Sequence, residues 1–180
     1  FFTDVAADMV VPFLPIFLTR ELHAATTFVG LVEGLAEGTA AFTKYLTGLA
    51  SDRLPRKKPL VAVGYGVANL VRPLLAFAAA PWHVLAVRFI DRIGKGIRTS
   101  PRDALIAQST APERHGAAFG FHRGMDNLGA VFGPLLASLI LWRSPGNLRA
   151  VFAFTLVPGV LSLLALIFGV REPDAPATAS

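Results

Sequence analysis

Between Val151 and Val170 the chain carries no charged residue. A run of about 20 predominantly apolar residues is what a helix needs to cross the hydrocarbon core of a bilayer. Inside that core every backbone N–H and C=O needs a partner within the protein, so only helices and closed barrels cross it. A barrel strand alternates apolar and polar residues over about ten positions, and no segment here does so. The apolar residues come in long runs instead, such as Val5 to Leu18, which is interrupted only by Asp8 among charged residues. The sequence therefore predicts an all-α integral membrane protein.

Charge supports that fold class. Charged residues make up 16% of the chain, against roughly 25% in a soluble domain. The net charge of +5 fits the Lys and Arg that cytoplasmic loops of membrane proteins collect, so it predicts basic loops and no nucleic-acid partner. The chain has no cysteine, which excludes disulfides and thiolate metal sites.

Six spans follow from the length rule. The first runs to about Leu18, the second from Thr27 to about Leu49, and the third from Leu60 to Ala79. The fourth starts near Trp82 and runs toward Gln108, the fifth covers Gly116 to Leu141, and the sixth Ala150 to Val170. Residues 1–171 thus form one six-helix transmembrane bundle, and the Pro/Ala-rich residues 172–180 read as the start of a linker. The chain opens inside an apolar stretch without Met, which reads as a fragment whose first helix has lost its beginning.

Arg53, Arg56, Lys57 and Lys58 follow the second span, and Arg102 and Arg114 lie around the end of the fourth. The opposite turns hold Arg20 beside Glu21, then Arg143 and Arg149. The bias places the first set in the cytoplasm and both chain ends with it, in a multi-pass protein of the cell (inner) membrane. Trp82 and Trp142 fall at the outer ends of their spans, where interfacial aromatics belong.

Three stretches carry more specific information. "GLASDRLPRKK", Gly48 to Lys58, places Asp52 where its carboxylate can cap a helix N-terminus and its cations where an anionic leaflet holds them. "GAVFGP", Gly129 to Pro134, sets two glycines four apart, which lets helix backbones touch, followed by a helix-bending proline. Pro12 and Pro15 enclose two residues in a P-x-x-P pattern near the end of the first span. Gly48, Asp52, Arg53, Arg56 and Lys57 resemble the G-x-L-A-D-R-x-G-R-[KR]-[KR] loop of the major facilitator superfamily, with Pro55 where that family usually has Gly. Gly129, Gly133 and Pro134 resemble the G-x-x-x-G-P signature of its antiporters. The prolines resemble a feature of its drug/proton antiporter branch.

The resemblance implies the N-terminal six-helix half of a twelve-helix transporter, with a second six-helix half as partner. It implies a small-molecule substrate, membrane lipid around the bundle, a proton gradient as driving force and no cofactor. It also implies that the first and fourth helices line a central cavity.

The segment "RFIDRIGKGIRTSPRD" is unusually charged for so apolar a chain. Arg88, Asp91, Arg92, Lys95, Arg98 and Arg102 recur at helical steps and share one face. Charges inside a span face partners or a polar cavity, so Arg88, Asp91, Arg92 and Lys95 are expected on the cytoplasmic half of the path. Arg98, Arg102 and Asp103 are expected at the headgroups. Compared with the family's R-x-x-Q-G, Arg88 stands at the Arg position, while Asp91 and Arg92 depart from the Gln and Gly.

Compensating groups are Asp4 and Asp8 in the first span and His122, Arg123 and Asp126 in the fifth. Pairing of Asp4 or Asp126 with Arg88 or Arg92 is expected, because a lone intramembrane charge costs at least about 2.5–3.5 kcal/mol. A carboxylate so paired would change protonation as the Arg moves, which makes a proton-coupling switch. Glu33 and Glu37, interleaved with glycines, suit a structural and a functional role equally, and the sequence assigns none to Lys44 or Arg72. His122 and Asp126 lack a further ligand at metal-site spacing, so no metal is expected.

These features favour a secondary transporter, with proton-coupled export first and uptake or exchange of an organic anion or zwitterion as the alternative. An intramembrane enzyme would need a nucleophile or metal set, and ATP-driven pumping a phosphate-binding loop; neither pattern is present. A non-transporting structural or sensory protein would not need the charged helix face.

Overall fold

The computed structural model describes residues 1–54 and 56–170, with the side chain of Asp52 excepted. The linker expected at 172–180, Pro55 and the capping role of the Asp52 carboxylate lie outside the described residues. Six helical segments fold into one bundle: α1 (Phe2–Glu21), α2 (Thr26–Arg53), α3 (Lys58–Phe77), α4 (Pro81–Gln108), α5 (His115–Arg143) and α6 (Leu148–Gly169).

Proline explains where these helices are irregular. In α1 the regular helix ends at Asp8 and the chain tightens to 3₁₀ over Val11–Phe13 at Pro12. A π turn, Phe17–Glu21, completes the segment. In α3, Pro73 has no N–H to donate, and the helix continues as 3₁₀ over Arg72–Phe77.

Four helices (α1, α3, α5 and α6) are long and apolar enough to cross a membrane alone. Each of α2 and α4 has 28 residues, long enough at about 1.5 Å per residue, but they carry charge. They run parallel against each other, and part of that charge is neutralised across their interface: Arg88 meets Glu33 and Arg92 meets Glu37.

The helix pairing has an internal symmetry. The principal helix pairs are α1·α5, α1·α6, α2·α4, α3·α4 and α3·α6. Exchanging α1–α3 with α4–α6 maps this set onto itself. The bundle is therefore built from two three-helix units related by a pseudo-two-fold, the internal inversion common among transporters. The apolar core lies toward the α3–α4 and α5–α6 turns, where Phe17 stacks edge-on against Phe152 with ring centres 5.0 Å apart and Leu14, Leu75 and Val84 fill in. The polar residues collect in the other half of the bundle.

The same pseudo-symmetry joins α3 to α6. Arg149, at the start of α6, donates to the Ala76 carbonyl at the end of α3 (2.8 Å). Lys58, at the start of α3, donates to the Ile167 and Val170 carbonyls at the end of α6 (2.9 and 2.7 Å). Each cation sits where a helix C-terminus leaves carbonyls without intrahelical donors and carries partial negative charge. We expect Lys58→Met and Arg149→Met each to cost about 1 kcal/mol. Thermal melts of the purified protein in detergent check this, with the double variant adding the two losses.

Candidate functional site

The charged face of α4 divides into two parts with different surroundings. The upper part is locked. Arg72 of α3 donates through Nε to Asp91 Oδ1 at 2.8 Å, and both side chains are about 4% exposed or less. Arg72 Nη1 reaches the Thr3 carbonyl and Asn69 Oδ1, both at 3.0 Å, which ties α1 into the same cluster. Arg88 forks onto Glu33 at 2.8 and 3.0 Å and leans on Asp91 at 3.6 Å. Arg92 reaches Glu37 at 3.2 Å, with Glu37 itself 62% exposed. These residues hold α2, α3 and α4 together.

The expected pairing of Asp4 or Asp126 with Arg88 or Arg92 is not what forms. Register explains the difference. Glu33 and Glu37 are one turn apart, as are Arg88 and Arg92, and two parallel helices bring the pairs level. Glu33 and Glu37 are thereby structural partners, and Arg72, to which the sequence assigns no role, is a buried counterion of Asp91.

The lower part of the face is open. A cavity of about 310 Å³ lies among α1, α2, α4 and α5. Lys44 enters it from α2, and Lys95, Arg98, Thr99, Arg102 and Asp103 from α4. Asp4 faces them from α1, with Phe119, His122, Arg123 and Asp126 on α5. His122 Nε2 stands 3.4 Å from Asp126 Oδ2. Arg102 pairs with its neighbour Asp103 at 2.9 Å.

Of the residues singled out for the pathway, the cavity collects Asp4, Lys95, His122, Arg123 and Asp126. Arg88, Asp91 and Arg92 do not line it and belong to the locked cluster, and Asp8 is packed against Gly133. Arg98, expected at the headgroups, is 3% exposed, covered by its neighbours in the bundle. Its guanidinium lies 4.4 Å from the centre of the Tyr65 ring and donates to Thr3 Oγ1 at 2.7 Å. The helical step from Lys95 to Arg98 and Thr99 is the sequence signal for it. Lys44 belongs to the cavity because it continues the face of α2 that carries Glu37, seven residues earlier.

The glycine motif sets the α1–α5 distance. A Cβ on Gly129 would meet Asp4 Cβ at 2.8 Å, and one on Gly133 would meet Asp8 backbone and Met9 N at 2.9 Å. These approaches bring Asp4 against the α5 wall of the cavity. The helix runs on through Pro134 to Arg143. In the loop motif, Asp52 belongs to the last turn of α2, and the residue that caps α3 is Lys57. Arg53 and Arg56 are exposed there, and Gly48 lies close to Ser100 of α4. Among the described residues no group of three metal-ligating side chains comes together.

Known proteins supply the remaining identification. An uncharacterized MFS-type transporter of Methanocaldococcus jannaschii is 32% identical over 176 residues, covering 98% of this chain and 44% of that protein. The multidrug resistance protein MdtH of Proteus mirabilis is 28% identical over 160 residues, 83% of this chain and 40% of its own length. An uncharacterized MFS-type transporter of Bacillus subtilis, YqjV, is 27% identical over 135 residues, 75% of this chain and 33% of that protein. The chain thus spans less than half the length of these curated relatives. The family pattern described as Major Facilitator Superfamily matches residues 1–180. With its helical, membrane-spanning architecture, the chain belongs to the major facilitator superfamily, a family of transporters and not of enzymes.

Proposed function

We propose that the full-length protein is a secondary active transporter that exports a small solute in exchange for protons by alternating access. The observation that carries this reading is the cavity among α1, α2, α4 and α5, where the carboxylates Asp4 and Asp126 face a wall of cations. In such a cavity a carboxylate has two competing ways to be neutralised, by a proton or by an adjacent cation, and a solute that enters shifts the balance. That exchange is the chemistry an antiporter requires. The α3 and α6 helices form the back of the bundle, and a second six-helix half closes the cavity from the front. Both ends of the chain lie in the cytoplasm, with Arg53, Arg56 and Lys57 at the anionic leaflet.

Export is favoured by the resemblance to antiporters in Gly129, Gly133 and Pro134, and by the multidrug resistance named for one relative. The surplus of cations in the cavity favours a second reading, in which the solute carries an anionic group.

The test is full-length protein in proteoliposomes under an imposed pH gradient, challenged with cationic drugs and with organic anions. Substrate-dependent proton flux is the expected result. Asp126→Asn and Asp4→Asn are each expected to reduce it at least tenfold while leaving the protein folded. Flux that survives both substitutions would remove the cavity from the coupling path.

A further inference from the structure

The cavity is not uniformly basic. Its cations are concentrated on α2 and α4, and two of its carboxylates come from α1 and α5. Lys44, Lys95 and Arg98 come from the α2 and α4 side, while Asp4 and Asp126 come from α1 and α5. Arg102 and Asp103 are already paired with each other, and Arg123 adds a further cation on α5. The α2 and α4 wall is therefore net positive, while the α1 and α5 wall sets the carboxylates Asp4 and Asp126 beside His122 and Arg123.

Both walls also hold unsatisfied groups. Arg98 is 3% exposed, forms no ion pair among the described residues, and its Nε has no hydrogen-bond acceptor among them. Its guanidinium lies over the face of Tyr65, and its hydrogen bond goes to a neutral hydroxyl, Thr3. Asp4 acts on it only through space, and a buried guanidinium without a directly paired carboxylate is costly. Across the cavity, Asp126 Oδ1 is buried and accepts no hydrogen bond from the described residues. Leaving a buried donor and a buried acceptor unpaired on opposite walls is a standing penalty that a ligand of the matching polarity removes.

We propose that the transported solute is a small zwitterion: its anionic group lies on Arg98, with Lys95 and Lys44 beside it, and its ammonium group lies on Asp126 and Asp4. This rests on the transporter reading and names its substrate class. A simple cation would satisfy Asp126 and leave Arg98 buried and unpaired, next to two lysines that repel it. A simple anion would satisfy Arg98 and leave Asp126 Oδ1 without a donor, with only the 3.4 Å contact from His122 at Oδ2. Only a molecule with both charges meets both walls. The volume of about 310 Å³ falls at the lower end of small-molecule sites, roughly 300–1,000 Å³. That suits a molecule of amino-acid size better than a bulky drug. The planar fork of Arg98 suits carboxylate, sulfonate and phosphate headgroups alike.

The experiment is an equilibrium one on purified full-length protein, read by thermal stabilisation and by calorimetric titration. The probes are α-amino acids, ω-amino acids, taurine and phosphoethanolamine, each set against the amine-only and acid-only molecules of the same chain length. We expect at least one zwitterion to bind at least tenfold more tightly than both of its single-charge analogues. In Arg98→Gln that zwitterion should bind no better than the amine, and in Asp126→Asn no better than the acid. Should Arg98→Gln fail to fold, Lys95→Gln, on a half-buried residue, is expected to weaken the zwitterion and the acid while sparing the amine. Amines that bind as well as every zwitterion overturn the proposal, as does the absence of binding by any probe in the set, or zwitterion binding that ignores the substitutions. Because binding is read without transport, the two readings fail separately. Zwitterion binding without proton flux refutes coupled export alone, and flux driven by cationic drugs without zwitterion binding refutes this inference alone.

Discussion

Asp91→Ala is expected to prevent accumulation of folded protein. Asp91 is the buried anion between two buried guanidiniums, with Arg72 at 2.8 Å and Arg88 at 3.6 Å. Removing one partner of a buried ion pair costs about 3–5 kcal/mol, because the remaining charge is left without compensation. Two cations compete for relief here, and of the two Arg88 has another carboxylate, Glu33. Arg72 would keep the neutral Thr3 and Asn69 acceptors. A loss of that size is a large share of the roughly 5–15 kcal/mol that keeps a domain folded. Apolar replacement of a whole buried pair is often close to neutral, so Arg72→Met combined with Asp91→Leu is expected to recover most of the lost stability. Size-exclusion yield and thermal melts in detergent of the single and double variants check this. Equal losses in the single and double variants would mean that Asp91 holds the bundle by something other than its charge.

The fold is legible in the sequence to the level of six spans, because the apolar runs and the turns between them are set by bilayer thickness and by proline and glycine chemistry. The face of α4 is legible too, since charges at helical period inside a membrane segment must turn together toward partners or a polar cavity. What cannot be read is how that stripe divides. Whether Arg88 faces a carboxylate or a cavity depends on the register of α2 against α4, and no residue on α4 encodes that register by itself. Glu33 and Glu37 have the right spacing to match Arg88 and Arg92, but the same spacing would also suit a partner on α1 or α5. Arg72 is visible as an anomaly and not as a partner, because its counterion is nineteen residues away on the next helix. The position of Arg98 near the helix end suggests the headgroups, whereas α3 supplies Tyr65 and α1 supplies Thr3 to cover it.

The register of α3 against α4 rests on two glycines, and it gives the second large effect. A Cβ on Gly64 would stand 2.7 Å from the Gly94 carbonyl oxygen and 2.8 Å from Arg98 N. A Cβ on Gly94 would stand 2.8 Å from both Ala68 N and the Gly64 carbonyl oxygen. Carbon–oxygen contacts settle at about 3.3–3.6 Å, and the atoms met are backbone, which cannot swing aside as a side chain can. The helices must separate. Gly64→Ala and Gly94→Ala are each expected to cost about 1–3 kcal/mol, the usual range for overpacking, despite the gain in helix propensity of roughly 1 kcal/mol that alanine brings. Gly66, two residues along the same helix, has nothing within 4 Å of such a Cβ, so Gly66→Ala keeps the propensity gain and should raise the melting temperature. Opposite signs at positions 64 and 66 would locate the effect in the contact, and equal signs would mean that the α3–α4 distance tolerates a methyl group. The separation also reaches the site. Arg98 shares that contact through its own backbone N and Cβ, so any widening at Gly64 moves the guanidinium relative to Tyr65 and the cavity, and ligand binding should weaken together with stability in Gly64→Ala but not in Gly66→Ala.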